Sequence, residues 1–309
     1  MRLPFLPDEY ERLLRRARRQ EARRVLVAWN RALGDVALAL CGFVDLVGRT
    51  IPGAEVTILT RPDLEEACGL VPGVTEVLVG PHWTREANRA HGTPSAADVA
   101  RELQRMGREG SFDLVIAELR AGRWWRRQLG RYVPRLRWEP AWQARGEALV
   151  GRAARGRAVA LHVDSETGHL YGYVKNWPRP YWVALIQALL ARGQTPVLLG
   201  LRQAPPLVDD PRVLDLRGKT TLREALVVIL TCGRLVAPDS GLLTFAYFLE
   251  TVTPLQAVSL WAMARFGILQ ARVPSPNPAL DHRPLVGRRG DISTISVEQV
   301  LTALGNGAG

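Results

Sequence analysis

An α/β protein of two domains is what this sequence predicts, and two junctions carry most of the prediction. Apolar runs at Val25 to Ala28 and Leu235 to Ala237 each lead into a turn that sets an aspartate beside glycine. These turns are Leu33-Gly34-Asp35 in the first half and Pro238-Asp239-Ser240-Gly241 in the second. Continuous apolar runs read as parallel strands buried on both faces, and in open α/β sheets ligands bind beyond the carboxyl ends of such strands. Size is the third observation: 309 residues, 47% of them apolar, exceed one ordinary domain and suffice for a core in each half. The expected architecture is two α/β domains, 1–150 and 151–309, with a cleft between them.

The elements follow in order. Between Arg12 and Arg24 the sequence has helical character, but Leu13, Leu14, Ala17 and Ala22 are too sparse for a deep apolar face. Val25 to Ala28 is a strand, Asp35 to Arg49 a helix, and Glu55 to Leu59 and Thr75 to Val79 further strands, punctuated by Pro52-Gly53 and Pro72-Gly73. Asp113 to Ala117 is the next strand. Gly146 to Arg157, rich in Gly, Ala and Arg, reads as the linker. A second series then runs through strand Ala158 to His162, helix Tyr181 to Arg192, strand Pro196 to Leu199 and short strand Arg212 to Leu216. It continues through helix Leu222 to Thr231, strand Arg234 to Ala237 and helix Gly241 to Leu249, and an amphipathic helix at Ser296 to Leu304 closes the chain. Strand and helix alternate twice over, which is the signature of βαβ units.

Composition narrows the setting. Three cysteines, Cys41, Cys68 and Cys232, have no C-x-x-C spacing, and the odd count argues against a disulfide framework and for a reducing compartment. No apolar run approaches about 18 residues, and the Arg-rich start has no apolar h-region, so neither a membrane span nor a signal peptide is expected. A cytoplasmic protein is the expectation. The net charge of +11 is carried almost wholly by arginine, with Lys175 and Lys219 the exceptions. A lysine ammonium is a compact point charge that enters narrow sites closed to a planar guanidinium. Those two lysines are therefore candidates for contacts arginine cannot replace; the alternative is two surface lysines left by chance. Arginines also crowd Arg12 to Arg24 and Arg120 to Arg157, the second interleaved with Trp124, Trp125, Trp138 and Trp142. The first is either a solvated helix face or a binding surface for anions; the second is a nucleic-acid surface, an anionic membrane-surface site, or a basic segment whose tryptophans pack. No nucleic-acid-binding motif accompanies it, which disfavours nucleic acid.

Taken together, the motifs resemble glycosyltransferase family 9, the heptosyltransferase-like enzymes of lipopolysaccharide core biosynthesis. The resemblance runs in order through Val25-Leu-Val, Ala32-Leu-Gly-Asp-Val36, Pro52 to Thr60, Val159-Ala-Leu-His162, Lys175-Asn-Trp-Pro178, Leu198-Leu-Gly200, Leu216-Arg-Gly-Lys-Thr220 and Val236-Ala-Pro-Asp-Ser-Gly241. It implies a GT-B fold, two Rossmann-like domains facing across a cleft, with the acceptor on the first domain and a nucleotide-sugar on the second. It implies an inverting transferase that moves a sugar, in the family a heptose, from a nucleotide diphosphate to a hydroxyl of an anionic glycan or glycolipid, with peripheral association at the inner face of the membrane.

By the same resemblance Asp35 is the catalytic base, with Gly34 and Arg31 on the acceptor side, and Lys175, Asp239, Ser240, Gly241 and Lys219 bind the donor. The chemistry suits these residue types. One carboxylate takes the acceptor proton, and fixed positive charge with helix N-terminal amides neutralises the leaving diphosphate. On the residues alone Asp35 reads first as a helix N-cap, a reading that the resemblance reverses, and Lys219 is as much a turn residue as a donor contact. The sequence has no Asp-x-Asp, and His82, His91, His162, His169 and His282 show no ligand spacing, so no metal cofactor is expected. Departures from the family are Leu242-Leu243-Thr244 after Asp-Ser-Gly, Val258 to Phe266 in place of the glycine-proline-threonine-aspartate loop, and the acidic Asp164 and Glu166 after His162. They point to altered donor contacts. Alternative readings are a family-like transferase redirected to a protein, secondary-metabolite or nucleic-acid acceptor, and a non-catalytic homologue that binds nucleotide-sugars.

Overall fold

Each half of the chain builds its own parallel sheet, because each has its own set of short apolar runs separated by helices. A computed structural model of the protein describes residues 9–84, 94–117, 132–151, 154, 156–165, 175–202, 204–263, 269 and 273–305. The chain divides into two compact units, Met1–Arg137 and Trp138–Gly309.

In the first unit, helix α1 (Glu9–Arg19) precedes strand β1 (Arg24–Trp29). A short helical turn α2 (Leu33–Asp35), a π-helical turn (Val36–Leu40) and α3 (Cys41–Thr50) then follow without a break. Next come β2 (Glu55–Thr60), α4 (Glu65–Gly69), β3 (Val74–Val79), α5 (Ala96–Arg105) and β4 (Leu114–Ile116). The strands lie in the order β3-β2-β1-β4, all parallel. Every residue of β1 after Arg24 is buried, as a central parallel strand covered on both faces requires.

The second unit begins with α6 (Gln143–Val150) and continues through β5 (Ala158–His162), α7 (Arg179–Ala191), β6 (Thr195–Leu199), β7 (Leu214–Asp215) and α8 (Leu222–Cys232). It closes with β8 (Arg234–Pro238), α9 (Gly241–Phe248), β9 (Leu255–Trp261), β10 (Leu280–Val286) and α10 (Val297–Leu304). The strand order β10-β9-β8-β5-β6-β7, numbered from β5, is the 3-2-1-4-5-6 order of a dinucleotide-binding sheet. Capping boxes open α5 (Ser95 with Asp98), α8 (Thr221 with Glu224) and α10 (Ser296 with Gln299), and Gly233 ends α8 in the left-handed region at φ 65°. Trp177, Trp182, Leu185, Ile186 and Leu189 pack with Val236, Val258, Leu260 and Val300 into one buried cluster. Each large apolar side chain sequestered there stabilises the fold by roughly 1.5–3 kcal/mol.

Several expectations are corrected. The division falls at 137/138 rather than 150/151, and Gly146 is no linker residue. It lies in α6, which packs so closely on α8 that a Cβ at Gly146 would stand 2.3 Å from Val227 Cγ1 and 2.4 Å from Thr231 Oγ1. Arg145 adds an ion pair to Glu224 at 2.7 Å. Glycine and alanine read as linker composition in the sequence; here they permit close helix packing. The opening helix ends at Arg19, and its buried stripe is Tyr10, Leu14 and Ala17, so the aromatic supplies the depth that the leucines and alanines lacked. The strand expected over Arg212 to Leu216 shortens to β7. The sequence reading did not assign α4, α5, β9 or β10; charged residues and Pro284 interrupt the apolar pattern of β10, which is tolerated because it is an edge strand. Glu166, Trp124, Trp125, His91 and His169 lie outside the described residues. Among the described residues no helix is long and apolar enough to cross a membrane.

Candidate active site

The sheet order itself selects a place for chemistry. In the second sheet the chain winds outward in opposite senses from β5 and β8, which are paired neighbours. Connections leave their carboxyl ends in opposite directions, opening a crevice there. His162 ends β5, and Asp239 and Ser240 follow β8 directly. His162 Nδ1 lies 3.0 Å from Ser240 Oγ. Ser240 is the N-cap of α9, its Oγ accepting from the Leu243 amide at 3.2 Å. That cap leaves the amides of Gly241 and Leu242 at the open first turn, where a helix offers N–H groups and positive potential to an anion.

Lys175 arrives at the same place from another loop. Its Nζ lies 2.6 Å from Asp239 Oδ2, with the two side chains 27% and 24% exposed. A pair so placed is reachable by a ligand.

The residues after Lys175 explain how it is held. Asn176 clamps the loop that follows β5, accepting from the Ser165 amide at 2.8 Å and donating to the Ser165 carbonyl at 3.1 Å. Trp177 is buried, donates from Nε1 to the Ile295 carbonyl at 2.9 Å, and meets Trp182 edge-on at 5.1 Å between ring centroids. Pro178 is the N-cap of α7. In the run Lys-Asn-Trp-Pro, one residue is thus presented and three are anchors. The sequence reading weighed only the lysine; the signal for the others was the tryptophan beside proline at a helix start.

His162 was read as part of a motif and not as a site residue. It is buried, and burial pushes its pKa down to about 4, with Asp164 opposing the shift. The ring is neutral at pH 7 and serves Ser240 by hydrogen bonding, not by charge. An unfolded histidine titrates near 6.5, so between there and about 4 the unfolded chain holds the extra proton. The stabilisation from a neutral buried ring is complete above pH 6.5 and is lost as pH falls toward 4. Urea unfolding at pH 7.5 and 4.5 is expected to show wild type losing about 2–3 kcal/mol more than His162→Gln. Equal losses in both proteins would show that His162 does not carry this acid sensitivity.

Lys219 lies elsewhere. It follows β7, three strand spacings from β8 and so about 14 Å away across the sheet, and its Nζ donates to the Asp215 carbonyl at 2.8 Å. Its neighbour Arg217, 5% exposed, pairs with Asp215 at 2.6 Å and donates to the Pro205 carbonyl at 3.0 Å, while the Gly218 amide donates to the Gly200 carbonyl. The Arg-Gly-Lys turn is tied together by its own hydrogen bonds.

In the first unit the corresponding place is the carboxyl end of β1, between neighbours β2 and β4. There Asn30 and Arg31 lead through Gly34 to Asp35, which is half-buried. Asp35 is the last residue of α2 and the N-cap of the π-helical turn, to which its side chain gives no capping hydrogen bond. The π-helical turn that follows is a rare geometry found mostly at functional sites. Arg61, which the sequence reading missed, holds this loop: 2% exposed, it donates to Asn30 Oδ1 at 2.8 Å and to the Arg31 carbonyl at 2.9 Å and pairs with Asp63. The only sequence signal for it was its place just past β2.

Two other groups drop out of the chemistry. Cys41, Cys68 and Cys232 are buried free thiols; burial pushes the Cys68 and Cys232 thiols up to about 12 and Cys41 higher still, so none is a nucleophile at neutral pH. Trp138 and Trp142 pack edge-on at 5.5 Å, and the Arg223 guanidinium lies 4.5 Å over the Trp142 ring. These two half-buried tryptophans are engaged with one another and with Arg223. Among the described residues no three His, Cys, Asp or Glu side chains gather as metal ligands would.

Comparison with known proteins places this arrangement. No family model matches the chain. Lipooligosaccharide heptosyltransferase 2 of Haemophilus influenzae is 30% identical over 89 residues, 26% of each chain. The Haemophilus ducreyi protein of the same name is 28% identical over 101 residues, 29% of each. The chain therefore spans between a quarter and a third of the length of the curated relatives it matches. Solved structures extend the likeness to nearly the whole fold. Escherichia coli ADP-heptose LPS heptosyltransferase II superposes with a TM-score of 0.61 at 17% identity, covering 92% of this chain and 98% of that one. A glycosyltransferase family 9 structure from Veillonella parvula gives 0.58 at 16% identity, covering 91% and 95%. Escherichia coli heptosyltransferase WaaC, solved with ADP-2-deoxy-2-fluoro heptose, gives 0.54 at 17% identity, covering 92% and 100%. With its parallel sheets and these likenesses, the chain has the GT-B fold of the solved heptosyltransferases and, over a quarter to a third of its length, is similar in sequence to the curated ones.

Proposed function

We propose that this protein is an inverting, metal-independent glycosyltransferase that moves a sugar, by kinship a heptose, from a nucleotide diphosphate to a hydroxyl of an anionic glycan or glycolipid. The observation that carries the reading is the gathering of Lys175, Asp239, Ser240 and Gly241 at the crevice beyond β5 and β8. Lys175 and the amides of Gly241 and Leu242 form a cradle for two phosphates. Asp239, released by Lys175 when the diphosphate enters, is left to accept hydrogen bonds from sugar hydroxyls. Ser240, fixed by His162, keeps the helix terminus in place. Asp35 takes the proton of the acceptor hydroxyl as that oxygen attacks the anomeric carbon and the nucleoside diphosphate departs, with Gly34 and Arg31 lining the acceptor side. An acceptor displayed at a membrane surface brings with it peripheral association of the enzyme. The solved relative bound to an ADP-sugar analogue makes ADP-sugars the first donors to try.

The testing experiment is a thermal-shift screen of nucleotide-sugars followed by an acceptor-dependent assay of nucleoside-diphosphate release. Stabilisation by one class of nucleotide-sugar and release of its diphosphate are expected. If fixed charge neutralises the leaving group, initial rates persist in excess chelator and change only modestly with magnesium or manganese. Loss of activity on chelation, restored by one metal, would replace Lys175 with an ion held by carboxylates such as Asp164 or Asp239.

A further inference from the structure

Helix α1 stands outside the alternation of strands and helices, coming before β1, and the fold does not need it to complete a sheet. Its inner stripe is consumed: Tyr10, Leu14 and Ala17 are buried, and Tyr10 meets Phe43 of α3 edge-on at 5.5 Å. Its outer stripe is basic. Arg12, Arg15, Arg16 and Arg19 follow the i, i+3, i+4, i+7 spacing of one helix face, opposite the buried stripe, and all are exposed. Only Arg15 has an acidic partner within the helix, Glu11 at 3.8 Å; Arg12, Arg16 and Arg19 have none among the described residues. Leu13, 38% exposed, flanks the stripe.

Four guanidinium groups held along about 11 Å of a convex helix face outward as a row. A nucleic-acid strand would meet such a row through its phosphates alone, and it is an outcome of the test below. A plane of anionic headgroups can contact every arginine of the row at once. We propose that α1 docks the protein on the surface of an anionic lipid bilayer through Arg12, Arg15, Arg16 and Arg19. The apolar face is spent on α3, so the attachment is electrostatic and reversible and does not depend on insertion. This deepens the peripheral association inferred above and rests on it only for its purpose; the binding itself needs no catalytic activity.

The test is sedimentation of the full chain with vesicles of phosphatidylcholine alone or mixed with phosphatidylglycerol. Wild type is expected to partition to the mixed vesicles and not to phosphatidylcholine, and to be released as salt is raised and the screening length shrinks from about 10 Å toward 3 Å. Changing the four stripe arginines to Gln is expected to lower the partition coefficient about a hundred-fold or more, since each basic residue near an anionic surface contributes several-fold. Changing four exposed arginines of the second unit, Arg192, Arg202, Arg288 and Arg289, to Gln removes the same net charge and is expected to leave most of the binding. Nucleoside-diphosphate affinity, read in parallel, confirms that each variant is folded. Absence of wild-type binding, equal binding by the stripe variant, or equal loss in the second variant would overturn the proposal. So would preference for a single-stranded oligonucleotide over the mixed vesicles. Failure of every nucleotide-sugar to turn over would overturn the proposed transferase and leave the vesicle result standing.

Discussion

Asp35→Asn is expected to lower turnover by roughly two to four orders of magnitude while leaving nucleoside-diphosphate affinity nearly unchanged. The substitution keeps the size and hydrogen-bonding shape of the side chain and removes only the ability to take a proton. Two roles predict different losses here. A helix N-cap tolerates Asn as well as Asp, and its loss in Asp35→Ala costs about 1 kcal/mol of stability; a general base tolerates neither change. Asp35→Ala is expected to turn over as poorly as Asp35→Asn. Single-turnover rates and denaturant midpoints separate the two roles. Asp35→Asn turnover within a few-fold of wild type would remove Asp35 from the chemistry.

Lys175→Ala is expected to weaken nucleoside-diphosphate binding by about 1.5–3 kcal/mol, the range for hydrogen bonds to charged groups. The ion pair sharpens that expectation. Without Lys175, Asp239 remains at the phosphate site as an unbalanced negative charge, so the single variant suffers both the lost contact and a new repulsion. Lys175→Ala with Asp239→Asn is then expected to bind nucleoside diphosphate more tightly than Lys175→Ala alone, and the cycle of single and double variants measures the coupling. Lys175→Arg restores only part of the affinity, because a planar fork held by the Asn176 and Trp177 anchors does not present a point charge in the same position. Titration calorimetry with a nucleoside diphosphate checks all four proteins. Identical affinities would put Lys175 outside the donor site.

The arginine-rich composition draws attention first to charge, yet the residues that organise the candidate site are mostly uncharged in effect. His162 is held neutral by burial, Asn176 clamps a loop, Trp177 anchors a helix start, and Gly146 lets two helices close. Arg61 and Arg217 are charged, but both are buried and spent on loop carbonyls and neighbouring carboxylates.

What the sequence by itself determined was local. The apolar runs that became β1, β2, β5, β6 and β8, and the turns bearing Asp35 and Ser240, follow from backbone sterics and from burial on both faces of a strand, which neighbouring residues encode among themselves. Together with a resemblance carried by short motifs, that was enough to name Lys175, Asp239 and Ser240. Only the tertiary structure decided that Lys175 and Asp239 are ion-pair partners, that His162 meets Ser240, and that Lys219 stands apart. It also decided that Gln143–Val150 belongs to the second unit and that Arg61 is buried. The placing of Lys175, Asp239, His162, Ser240 and Lys219 depends on strand order, which sets β5 beside β8 and β7 two strands beyond β5. No local pattern in the chain records that order, because it is fixed by the packing of whole elements far apart in sequence.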